Sequence, residues 1–243
     1  MLRVLKALPL AFAVSTLIFS TASCSSSGQA KLRVVHAIPD GPALDVDINT
    51  TKEFSSIQFT QVQPTPPAYT SVPSGNVAIQ AYDTGTTTNG IFGGNGVSAT
   101  FGNAQYTVVL AGFLNGSGAN APAAVEFTDN DTAPTTGNFN IRVINASPSA
   151  SAAGSLDVYV VPSTDITNVS PTIPGLGFEQ ASSPYSSLAA GSYWVIVTES
   201  NSKEELIFPQ SYAFTAGQIR TLVLVDNGGG GNPPQWLELN DVN

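Results

Sequence analysis

Cysteine, histidine and methionine each occur once in 243 residues, and only 10% of positions are charged. One cysteine excludes an internal disulfide scaffold and any zinc site built on clustered thiolates. One histidine confines imidazole chemistry to a single position. Basic residues are scarce, with 8 Lys+Arg against 17 Asp+Glu and a formal net charge of −9. A nucleic-acid surface needs clustered cations to displace phosphate counterions, so that class is excluded. The one sustained apolar run, Ala7 to Phe19, is shorter than the roughly 20 residues of a membrane span. Against these deficits stand 42% hydrophobic residues, 22 glycines and 17 prolines. Such a chain can bury a core, so charge-driven disorder is excluded as well. The glycines follow no collagen period. What remains is a β-rich envelope or secreted protein of about two domains.

Residues 1–23 read as a signal peptide, with Arg3 and Lys6 before the apolar run and small residues at Thr21, Ala22 and Ser23. Thr21-Ala22-Ser23-Cys24 resembles the lipobox of bacterial lipoproteins, although Thr21 stands where leucine is usual. The resemblance implies cleavage before Cys24, a thioether-linked diacylglycerol on its sulfur, and an acyl chain such as palmitate on its new amine. Two or more chains anchor stably, because each buried CH₂ contributes about 0.8 kcal/mol. The membrane is then a partner through Cys24, and the location is the bacterial cell envelope. Ser25, which is not aspartate, points by the same resemblance to the outer membrane. Loss of Arg3 and Lys6 with the leader leaves 6 basic and 17 acidic side chains, formally −11. Residues 24–30 form the lipidated tether, flexible in its Ser25–Gly28 portion.

The rest of the chain repeats itself. Leu32-Arg33-Val34-Val35-His36-Ala37 returns as Ile141-Arg142-Val143-Ile144-Asn145-Ala146, and Leu44-Asp45-Val46 returns as Leu156-Asp157-Val158. Tyr69 to Val72 returns as Tyr185 to Leu188, Thr107 to Leu110 as Thr221 to Leu224, and Val125 to Phe127 as Leu237 to Leu239. The matches are collinear, with offsets between 109 and 116. The chain is therefore a tandem duplication, with units at 31–129 and 139–243 and a linker at 130–138. Each unit alternates short Val/Ile/Tyr/Phe/Thr segments with Gly/Pro/Asn/Ser clusters, and none carries a helical stripe. The expected fold is all-β: two tandem antiparallel β-sandwich domains of immunoglobulin-like or transthyretin-like architecture.

Arg33 to Pro39, Asp40, Pro42, Leu44-Asp45-Val46 and Val72-Pro73-Ser74-Gly75 together resemble the domain of unknown function 4397 family. The second unit keeps Arg142, Ala146, Pro148 and Leu156-Asp157-Val158, with Asn145 for the histidine and Ser149 for the first aspartate. The resemblance implies bacterial surface or envelope proteins, frequently in tandem, and supplies no activity.

Candidate residues each have a bland reading. His36 is replaced by Asn145 in the second unit, which favours a structural role at the end of the first strand. Arg33 with Asp45, and Arg142 with Asp157, would meet as outward-facing cross-strand pairs. Asp45 with Asp47, and Asp129 with Asp131, offer oxygens to Ca²⁺ but lack full calcium-loop spacing, so turn chemistry is the better account. Gly90, Gly93, Gly94 and Gly96 lack the lysine and helix of a phosphate cradle and read as a hairpin loop. Trp194 and Trp236 occupy positions that carry alanine in the first unit (Ala78 and Ala124) and should point outward. Something usually covers such aromatics: the first domain or a loop, a protein partner, or a glycan.

No catalytic residues, metal ligands or cofactors are expected. The expected function is a non-enzymatic cell-envelope lipoprotein with a surface adhesion or scaffolding role. The alternative is a ligand-binding lipoprotein that captures glycan or peptide through its loops or the Trp194/Trp236 face.

Overall fold

The computed structural model describes residues 28–242, so the leader and Cys24 lie outside the described residues. Nine strands form the first unit: β1 (Gln29–His36), β2 (Leu44–Ile48), β3 (Thr51–Ile57), β4 (Val62–Gln63), β5 (Thr70–Pro73), β6 (Gly75–Asp83), β7 (Val97–Phe101), β8 (Gln105–Ala111) and β9 (Ala123–Thr128). The second unit repeats them as β10 (Asn138–Asn145), β11 (Leu156–Val161), β12 (Ile173–Leu176), β13 (Gln180–Ala181), β14 (Ser186–Ala189), β15 (Gly191–Glu199), β16 (Gln210–Phe214), β17 (Ile219–Val225) and β18 (Gln235–Val242). The expected all-β, two-domain architecture is what the chain adopts.

Each unit has two sheets of matching topology. One runs β4-β1-β8-β9 with β5 also paired to β1, and its counterpart runs β13-β10-β17-β18 with β14 on β10. The other runs β3-β2-β6-β7, and its counterpart β12-β11-β15-β16. Pairing is antiparallel except between β1 and β8 and between β10 and β17. Parallel pairs occur mainly where both sheet faces are covered, and β1 shows why that holds here. Leu32 and Val34 pack into the first sandwich with Val46 and Val108. Val35, on the opposite face, packs with Val109, Ile144, Val223 and Leu239. That second cluster draws on both units, so the β1/β8 and β10/β17 sheets stack face to face. The result is four layers of sheet with three apolar interfaces.

This stacking corrects the reading of Trp236. Its alternation is as expected, but Leu237 and Leu239 face the interdomain cluster while Trp236 packs on the second unit's own core. β18 carries apolar side chains on both faces, Trp236 on one and Leu237 and Leu239 on the other, and period two alone does not tell which face is the sandwich interior. Trp194 does lie on the outer face of its sheet, opposite Val161, and packs with Tyr159 and Ile166. The loop carrying Ile166 covers it. Neither indole belongs to the interdomain cluster, and both are partly buried.

Candidate functional site

The Leu-Asp-Val motif places Asp45 and Asp157 outward on β2 and β11, but their partners are not the arginines. β1 and β2 lie in different sheets, because the chain crosses the sandwich between Ala37 and Ala43. Asp45 accepts from Lys52 Nζ at 2.6 Å and from the N–H groups of Ser56 at 2.8 Å and Gly85 at 3.0 Å. Asp157 does the same work with Gly175 N–H at 2.8 Å, Asn201 N–H at 3.0 Å and the Ser200 hydroxyl. Ser56 and Gly175 hold positive φ at corresponding points in β3 and β12. The motif aspartate thus ties an irregular edge strand to the turn after β6 or β15. Burial pushes the Asp45 carboxyl upward, but the Gly85, Lys52 and Ser56 donors outweigh it and bring the pKa to about 2. With Lys52 on one oxygen and backbone on both, the carboxylate is committed to the fold.

His36 is fully buried at the end of β1. Ile38 N–H donates to its Nδ1 at 3.2 Å, so Nε2 carries the proton and donates to the Pro42 carbonyl at 2.8 Å. Burial lowers its pKa, which favours this neutral ring. Asn145 reproduces the arrangement: its Oδ1 accepts from Ser147 N–H at 3.1 Å and its Nδ2 donates to Ser151 at 2.8 Å. Both residues staple the crossover loop that follows the first strand of their unit. In the first unit Asp40 accepts from Leu114 N–H. In the second the acid has moved across to Asp226, which receives the hydroxyls of Ser147 and Ser149. The loss of the first aspartate in the second copy is therefore compensated from the facing loop.

The glycine-rich hairpin is likewise folded rather than open. Gln80 donates to Gly93 O and accepts from Phe92 N–H, and a Cβ on Gly90 would fall 2.3 Å from the Gln80 side chain.

The arginines instead meet across the seam between units. Arg33 has 0% exposure and bonds Asp241 at 2.5 Å, with Asp129 at 3.3 Å. Arg142 bonds Asp129 at 2.6 Å. Each Arg Nε donates to the threonine opposite it in the parallel pair, Arg33 to Thr107 at 2.8 Å and Arg142 to Thr221 at 3.1 Å. Those threonines donate in turn to Asp129 and Asp241. Tyr69 lies under Arg33 at 5.1 Å and Tyr185 under Arg142 at 4.9 Å, and Tyr69 also donates to Asp129. Burial raises the pKa of both phenols, that of Tyr185 to about 12. Burial pulls Arg33 downward, yet Asp241 and Asp129 outweigh it and hold it above its ordinary value. The set is formally neutral, two guanidiniums against two carboxylates, and its contacts are reciprocal between the copies, as at an isologous interface.

Sequence reasoning singled out Arg33 and Arg142 but gave them the wrong acids. The repeat itself carried the signal. Asp129 and Asp241 lie two residues beyond the matched Phe127 and Leu239, and both threonines and both tyrosines fall inside matched segments. The calcium reading of Asp129 with Asp131 is superseded, because Arg33, Arg142, Thr107 and Tyr69 already surround the Asp129 carboxylate. Among the described residues, no three His, Cys, Asp or Glu side chains are grouped as metal ligands.

Fold and seam together define a tandem β-sandwich protein whose two copies are fused through a buried, reciprocal ion network. The chain belongs to the family described as "Domain of unknown function (DUF4397)", whose sequence model matches residues 30–159. That match starts in β1, spans the first unit and ends within β11. No curated protein matches the chain. Among solved structures, it is similar to a crystal structure described as a "putative cell adhesion protein" from Bacteroides eggerthii DSM 20697. The identity is 11%, the coverage 88% of this chain and 96% of that one, and the TM-score 0.20. A TM-score at that level supports no functional transfer.

Proposed function

We propose that this protein is a non-enzymatic lipoprotein of the bacterial cell envelope, anchored through Cys24, whose fused sandwiches serve as a surface scaffold or adhesive display. The observation that carries the reading is the seam. Two units that a flexible linker could have left independent share an apolar interface, and four buried charges join them. The groups best suited to chemistry are already committed as fasteners: His36 to a crossover loop, Asp45 and Asp157 to turns, Arg33 and Arg142 to the seam. A rigid spacer needs such fasteners. A catalytic site would need some of these groups free to meet a substrate. No described helix is long and apolar enough to cross a membrane, so attachment in this reading falls to the lipid.

The test is metabolic labelling with an alkyne analogue of palmitate in a bacterial host, followed by fractionation. The wild-type chain should take up label and sediment with membranes. Cys24→Ala should do neither and should accumulate in the soluble fraction. Equal labelling of both proteins, or a soluble wild type, would end the lipoprotein reading.

A further inference from the structure

The two copies differ in the loop that follows β6 in the first unit and β15 in the second. In the first unit Ile91 N–H donates to Ala81 O, and in the second Leu206 N–H donates to Val197 O. These corresponding bonds align Ile91 with Leu206, Phe92 with Ile207, and Gly93 with Phe208. Phe92 packs against its core, and Ile207 is buried in the other. The next residue is a bare glycine in one copy. In the other it is a phenylalanine with 89% of its surface exposed.

That exposure is held in place. A backbone bridge between Thr198 and Glu205, the Leu206 bond and buried Ile207 pin the chain before Phe208, and Pro209 follows it. Beside the ring lies a hollow of about 190 Å³ lined by Leu206, Ile207, Phe208, Glu205 and Pro233. Pro233 comes from the loop after β17, whose Gly229 N–H donates to Pro39 O of the first unit at 2.8 Å. Both walls are thus anchored to the body of the protein.

The surrounding charge has one sign. Glu199, Glu204 and Glu205 are exposed around an adjoining depression that also contains Leu206 and Asn232. The local cation, Lys203, is turned away: its Nζ donates to Tyr159 Oη at 2.9 Å and Val169 O at 2.6 Å. An apolar finger and hollow with an acidic rim suit a segment that offers one large apolar side chain and flanking bases. They do not suit the anionic face of a membrane.

Strand polarity gives the hollow its place. The Gly229–Pro39 bond joins loops that follow the C-terminal ends of β17 and β1, so β1, β8, β10 and β17 all point the same way. The described chain enters at Gln29, at the opposite end. β15 ends beside the start of β11, which puts Phe208 at the end far from that entry.

We propose that the Phe208 tip is a docking site for a basic, apolar polypeptide segment of a partner protein. The chemistry of the site is independent of the anchor. Only its facing away from the membrane rests on the lipoprotein reading.

The test uses the purified full chain and a fluorescein-labelled ten-residue peptide alternating arginine and leucine, with a glutamate-for-arginine peptide as its counterpart. Fluorescence anisotropy should show saturable binding of the first peptide that weakens as salt rises. Phe208→Ala should reduce affinity at least tenfold with an unchanged melting temperature, because the ring contributes little to the core. The double variant Glu204→Gln, Glu205→Gln should weaken binding and flatten its salt dependence. Absence of saturable binding, equal binding of the acidic peptide, or indifference to Phe208→Ala would each overturn the proposal. So would Phe208-dependent sedimentation with phosphatidylcholine vesicles, which would assign the tip to lipid. A failed labelling experiment at Cys24 would leave these binding results untouched, so the two readings fail separately.

Discussion

Replacing Asp129 with alanine removes the most heavily used carboxylate of the seam. It accepts from Arg142 at 2.6 Å, Thr107 at 2.7 Å and Tyr69 at 2.8 Å, with Arg33 at 3.3 Å. Without it, Arg142 loses its carboxylate partner and Arg33 keeps Asp241, while both guanidiniums are at most 2% exposed. Breaking a buried charge set by removing one member destabilises by about 3–5 kcal/mol, since the survivor stays desolvated. With a urea slope of about 2 kcal/mol/M, the unfolding midpoint should fall by about 2 M. The assay is equilibrium urea unfolding followed by far-UV circular dichroism and tryptophan fluorescence. Both indoles lie in the second unit, so fluorescence reports that unit while dichroism reports both. In the wild type the two curves should coincide, because the units unfold as one body. The pair Asp129→Leu with Arg142→Met removes one charge of each sign and should be less damaging than the sum of the two single changes. A loss below about 1 kcal/mol for Asp129→Ala, or strict additivity in the pair, would refute the claim that the seam is held by charge.

Two further predictions concern single units. His36→Asn should be tolerated, because Asn145 already performs that task, whereas His36→Leu should cost about 1–3 kcal/mol by stranding the Ile38 N–H and the Pro42 carbonyl. The lowered pKa of His36 means the unfolded chain binds its proton first as pH drops below 6.5, so this group's contribution declines there. Thermal melts of His36→Asn between pH 7 and pH 5 should lack that part of the slope. Asp45→Asn should cost about 2 kcal/mol at neutral pH, from a folded pKa of about 2 against an ordinary 3.8. The stabilisation is complete above the ordinary value and is lost as pH falls toward 2, so the gap between variant and wild type should close in acid. A gap that persists at pH 2 would mean that shape rather than charge matters at this position.

Much of this was legible in the sequence because duplication writes each structural choice twice. The all-β, two-unit architecture and the structural role of His36 followed from comparing the copies. The pairing of Arg33 with Asp45 did not survive, for a physical reason. Alternation says which side chains share a face, but it does not say whether consecutive strands are neighbours, and the Ala37–Ala43 crossover puts β1 and β2 in different sheets. Trp236 failed for a related reason, since β18 carries large apolar side chains on both faces and the Leu237/Leu239 face serves the seam. Phe208 was invisible to repeat matching because it stands in a segment where the two copies differ. Its exposure depends on the backbone bonds that flank it, and the residue type alone gives no sign of them.

The parallel pairing of β1 with β8 has a mechanical consequence. The described chain begins at the N-terminal end of β1, and the Phe208 tip lies at the opposite end. A pull between those points loads β1 along its own axis. Six registered positions, from Lys31 opposite Gln105 to His36 opposite Leu110, then bear the load together. β4 and β5 grip the strand's other edge. Such a sheet resists as a lap joint does, in shear, and does not open from one end like a zipper. Stretched from Gln29 in a force spectrometer, the protein should yield at higher force than when stretched from β9, which is paired along one edge only.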